Sequence, residues 1–82
     1  MKKTGMDPEY VPWSDLANAI VEQAAKDYIA ALRKLKRYPA SEKHKAAVSE
    51  LELFFGSPWY EELTNIDGNR LMRMLKKEVL GI

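Results

Sequence analysis

The chain has 82 residues, 46% of them hydrophobic, with a formal net charge of +1 and no cysteine. That length suits one domain whose apolar core is only just sufficient, and the missing thiols exclude a disulfide framework and thiolate chemistry. Near-neutral charge names no nucleic-acid or membrane partner, and no apolar run approaches the ~20 residues that span a bilayer.

Met1 to Pro12 carries two prolines, a glycine and no helical period. Residues 1–13 therefore read as an N-terminal arm ahead of a single helical domain over 14–82, with Tyr10, Val11 and Trp13 pinning the arm to the body. No signal-peptide apolar region follows Met1-Lys2-Lys3, and the cysteine-free composition fits a reducing cytoplasm. Ser14-Asp15 reads as an N-cap with an acid in the first turn. From there Leu16, Ile20, Ala24, Tyr28, Leu32 and Leu35 recur at three- and four-residue intervals, widened by Ala17, Val21, Ala25 and Ile29. Arg33, Lys34, Lys36 and Arg37 crowd the C-terminal turn, where the helix dipole favours cations, and Pro39 stops the helix. The pattern predicts a helix over 15–37.

Ser41 caps a second predicted helix over 42–55. Its buried face is Ala47, Val48, Leu51, Phe54 and Phe55, with Lys43, Glu50 and Glu52 toward water. Ala46 and Leu53 form a second, smaller apolar surface suited to a homodimer. Gly56 reads as a stop in the left-handed conformation, and Ser57-Pro58 as an immediate restart, giving a short helix over 58–64. Asp67 caps a last helix over 68–80, with Ile66 and Leu71 at hydrophobic-staple spacing, Leu71, Met72, Leu75 and Val79 inside, and Gly81 at its end. With no period-2 alternation, the fold class is all-α: a small bundle of four helices. Leu16, Ile20, Ala24, Tyr28, Leu32, Val48, Leu51, Phe55, Leu63, Leu71 and Leu75 are its expected core.

Four of the eight aromatics, Phe54, Phe55, Trp59 and Tyr60, fall within seven residues. Such a corner is core by default, but so short a chain has little room for all eight, so one or two should be exposed. Charge is also segregated. Arg33 to Lys45 holds six bases against Glu42 alone, Ala46 to Asn69 five acids and no base, and Arg70 to Lys77 four bases.

Catalytic, metal and cofactor sites find no support. Aligning Asn65-x-Asp67-Gly68 to a calcium loop puts Leu63 and Met74 where carboxylates belong. His44 is the only histidine and lacks companion ligands. Glu61 and Glu62 point about 100° apart on a helix and cannot share one site. No glycine-rich phosphate loop is present. The protein is therefore expected not to be an enzyme and to use no cofactor.

Two binding surfaces remain. The acidic-aromatic corner (Glu52, Trp59, Tyr60, Glu61, Glu62) has the composition of an apolar anchor ringed by charge, suited to a basic groove on a protein, such as a nucleic-acid-handling enzyme. The alternative uses the last helix, where Arg70, Arg73 and Lys77 share a face flanked by Asn69 and Lys76, as a DNA-reading element. Against it stand the near-neutral charge and the acids of the preceding helix. The cluster Arg33-Lys34-x-Lys36-Arg37 shows no aromatic platform on its own face and reads as a dipole-matched helix end.

Two blocks carry a resemblance. The first is Ala19-Ile20-Val21-x-Gln23-Ala24-x-Lys26-Asp27-Tyr28-x-x-Ala31-Leu32-x-x-Leu35-Lys36. The second, more specific, is Phe54-Phe55-x-Ser57-x-Trp59-Tyr60-x-x-Leu63-Thr64-x-Ile66-Asp67-Gly68-x-x-Leu71-x-Arg73-x-Leu75. Together, over Ala19 to Val79, they resemble a family of small proteins of prophages and other mobile elements of Gram-positive bacteria. Pro58 stands where that family has an aspartate, which keeps the helix start and removes any role for that acid. The family has no assigned activity, so the resemblance implies provenance: a small phage protein in the host cytoplasm. It is expected to bind and occlude a host or phage protein, as an anti-defence or host-takeover inhibitor would, with a small DNA-binding regulator as the alternative.

Overall fold

Residues at the ends of each helix set the architecture. The computed structural model describes residues 13–81, and the reading of Met1 to Pro12 as an arm lies outside them. The elements are α1 (Trp13–Arg37), α2 (Glu42–Phe55), α3 (Pro58–Leu63) and α4 (Gly68–Leu80). The described residues contain no strand. The fold is all-α, a small four-helix bundle in which α1 touches each of the other three helices.

The α1 helix begins at Trp13, so Trp13 belongs to the helix and not to an arm, and Ser14 lies within the first turn instead of capping it. After Arg37 the chain turns through Tyr38 N–H to the Lys34 carbonyl (2.9 Å) and Ser41 N–H to the Tyr38 carbonyl (3.0 Å). Ser41 Oγ accepts the His44 N–H at 3.2 Å, satisfying one of the donors left free at a helix start. The α2–α3 corner rests on one hydroxyl. Ser57 Oγ donates to the Phe54 carbonyl at 2.7 Å and accepts the Tyr60 N–H at 3.2 Å, closing one helix while opening the next. Asp67 Oδ1 caps α4 by accepting from Asn69 N–H (2.9 Å) and Arg70 N–H (3.4 Å). Gly81 ends α4 in the left-handed conformation, φ 74°, which a side chain would disfavour.

Gly56 departs from expectation. Its φ of −96° is open to any residue, and an added Cβ would meet only the Glu52 carbonyl oxygen at 3.6 Å. The glycine the fold requires is Gly68. It is buried at the start of α4, and a Cβ there would overlap the Phe55 carbonyl oxygen and lie 3.2 Å from Tyr60 Cε2.

The core centres on Tyr28, Phe55 and Tyr60, with Ala17, Val21, Ala31, Leu32, Val48 and Leu63 around them. Phe55 meets Tyr28, Phe54 and Tyr60 at ring-centroid distances of 5.5, 5.4 and 5.6 Å, all edge-on. Such contacts add to simple area burial because a ring edge is positive and its face negative. Leu51, Leu71 and Leu75 are half-buried against this cluster. Leu16, expected inside, is 47% exposed. Steps of four advance a helix by about 400°, so four such steps carry Leu16 about 160° from Leu32. One face cannot hold both, and Ala17 and Val21 take the inner positions instead.

Candidate protein-interaction surface

The acidic-aromatic corner divides in three. Pro58 at the first helical position fixes the phase of α3, which turns Tyr60 and Leu63 inward, one turn apart. Tyr60 is only 1% exposed and cannot face a partner. Its hydroxyl is buried without a hydrogen-bond partner. Burial, and then the charge of Asp67, raises its pKa.

Glu52 is likewise drawn inside. Its Oε2 accepts the Tyr28 hydroxyl at 2.7 Å and lies 3.1 Å from Lys76 Nζ. This one carboxylate joins α1, α2 and α4, which corrects the expectation that Glu52 points to water. Burial by itself would raise its pKa, but the hydrogen bonds from Tyr28 and Lys76, with the lysine charge, hold it below the ordinary 4.5. Burial raises the Tyr28 pKa, with the Glu52 bond and charge adding to it. A carboxylate whose pKa falls on folding contributes stability that is fully present above its unfolded-state pKa. That stability is lost as pH drops through the lower folded-state value. Urea unfolding at about pH 7 and about pH 3 should therefore show a larger loss for the wild type than for Glu52→Gln, which keeps an acceptor for Tyr28 but no titrating charge. Equal losses would count against this account.

Trp59 remains outside, 51% exposed, with its indole edge-on to Trp13 at 6.3 Å and 64°. Trp13 is 54% exposed, and Leu16, one turn further along α1, extends the apolar surface. Glu62 lies one turn from Trp59 on the exposed side of α3. Its neighbour Glu61 instead lines a polar cleft with Thr64, Asn65, Asp67 and Asn69. The two acids serve different surfaces. Of the five residues expected here, the structure leaves Trp59 and Glu62 together, sets Glu61 apart, and takes Tyr60 and Glu52 into the fold. It adds Trp13 and Leu16, which the sequence pattern assigned to an arm and to the core. The Leu16 signal was available in the angular drift of a strict four-residue repeat.

On α4, Asn69, Arg70, Arg73 and Lys77 are exposed, while Lys76 is half-buried in its ion pair with Glu52. The N-terminal end of α4, which a DNA-reading helix would present to base edges, is capped by the Asp67 carboxylate. Leu53 (74% exposed) and Ala46 lie outside on α2, where a second apolar surface was expected. Among the described residues no group of acids or histidines is arranged to hold a metal ion, and no helix is long and apolar enough to cross a membrane. Comparison with protein-family profiles, curated proteins and solved structures finds no match.

Proposed function

We propose that the protein is a non-enzymatic interaction module that docks a host or phage protein in the host cytoplasm and acts by occlusion. The observation that carries this reading is the exposed Trp13–Trp59 pair with Leu16 beside it. Two tryptophans left half outside on a chain with few residues to spare for its core form the kind of amphipathic anchor that dominates binding interfaces. Glu62 on the Trp59 side supplies a charge that favours a basic partner and speeds its encounter. The resemblance to prophage-borne proteins supports the same class of role.

The test is capture of a partner by the wild type beside two variants. Trp59→Ala should weaken capture at least tenfold, and Glu62→Lys should slow association and reduce its salt dependence, with unchanged circular dichroism in both. Glu61→Lys should have a smaller effect, since Glu61 faces the other side. Equal capture by the wild type and Trp59→Ala would overturn the reading. The DNA-binding alternative rests on exposed Arg70, Arg73 and Lys77. It requires duplex binding that Arg70→Ala and Arg73→Ala abolish without loss of fold.

A further inference from the structure

A groove of about 490 Å³ runs between α1 and α2, away from the tryptophans. Ala31, Ala47 and Leu51 contribute apolar lining beside Tyr38 and His44; Lys34 and Lys43 line it too, with one acid, Asp27, whose carboxylate accepts from Gln23 Nε2 at 2.9 Å. The two rings are 6.0 Å apart and inclined by 34°, and the Arg37 guanidinium lies 5.7 Å from the Tyr38 ring centre. Tyr38 is 55% exposed, so its ring adds little to the core. The sequence pattern showed no aromatic platform on the same face as the basic end of α1. The turn at Pro39 supplies one by bringing His44 of α2 against Tyr38.

The charges here exceed what helix ends require. Lys34, Lys36 and Arg37 sit at the C-terminal end of α1, where the dipole favours them. Lys43 and Lys45 sit in the first turns of α2, where the dipole disfavours cations. Lys45 is paired with Glu42 at 3.6 Å, but Lys43 lines the groove. Placing lysines against the dipole beside an exposed tyrosine ring and a half-buried imidazole is an arrangement suited to an anionic ligand with flat faces.

We infer that this groove binds a segment of single-stranded nucleic acid. A base stacks on Tyr38 and His44 over the alanine floor, and Lys34, Arg37 and Lys43 hold the flanking phosphates. Stacking on aromatic rings beside basic side chains is how single strands are held without sequence preference. An acidic peptide would use the same cations but gain less from paired rings. Lys34 and Lys43 reach the rings from α1 and α2, and Arg37 lies against Tyr38, so the cations are spread around the rings, which suits successive phosphates of a strand better than a single nucleotide. The site is independent of the tryptophan surface.

The test uses the full chain and a fluorescent oligothymidylate of about ten nucleotides, followed by anisotropy across salt. Binding should weaken as salt rises. Tyr38→Ala should weaken it by about tenfold and Tyr38→Phe should restore it, because stacking needs the ring and not the hydroxyl. Removing Lys34 or Lys43 should lower the salt slope by roughly 0.7 each. Arg70→Ala with Arg73→Ala should leave binding unchanged, separating this site from α4. The inference is overturned by no binding at low salt or by equal binding of Tyr38→Ala. It is equally overturned by tighter binding of duplex, by a mononucleotide binding as tightly as the strand, or by equal competition from polyglutamate.

Discussion

Replacing Gly68 by alanine is expected to cost about 3 kcal/mol or more, although it adds a single methyl group. The added Cβ would overlap the backbone oxygen of Phe55 and crowd the ring of Tyr60. Neither can yield cheaply. The Phe55 carbonyl belongs to the last turn of α2, and Tyr60 is packed edge-on against both Phe54 and Phe55. The start of α4 would have to lift away, pulling Leu71, Met72 and Leu75 from the core they pack against. A domain of this size has only about 4–12 kcal/mol in total. Thermal unfolding should shift down by roughly 12 °C or more. Gly56→Ala is the matched control: its backbone suits alanine and the nearest atom is at ordinary contact distance. It should be neutral or slightly stabilising, within about 1 kcal/mol. Similar losses for the two variants would refute this assignment of the required glycine.

The sequence makes these two glycines look alike, since each stands beside a helix boundary. What separates them is whether another backbone passes close by, a property of packing. Boundaries themselves were legible where a side chain does the capping: Ser41, Ser57 and Asp67 each accept the N–H groups their spacing implies. The start of α1 was not. Ser14 has the right chemistry for a cap, yet the helix continues back to Trp13, whose indole meets Trp59. Long-range partners were hidden in the same way. Glu52 reads as a surface acid until α1 brings the Tyr28 hydroxyl to 2.7 Å, and Tyr38 reads as a helix-end residue until α2 brings His44 alongside. Local rules place chain segments well, and they are silent on which polar tips meet across them.

The aromatic corner yields the other large effect, and it separates fold from function. Phe55→Ala should destabilise the protein by ~3–5 kcal/mol, because the ring is 2% exposed and touches Tyr28, Phe54 and Tyr60 at once. A cavity opened between three aromatic rings has little to fill it, since each is held by its other neighbours. Trp59→Ala, four residues along, should cost about 1 kcal/mol or less, as half its surface already meets water and it packs edge-on against a Trp13 that is equally exposed. The two variants should also diverge in partner capture at a temperature where both are folded. Phe55→Ala should bind in proportion to its folded fraction, and Trp59→Ala should lose binding while remaining folded. Urea titrations with capture on the same samples would decide it. A Trp59→Ala protein losing more than about 2 kcal/mol would make Trp59 part of the core and remove the anchor from the surface.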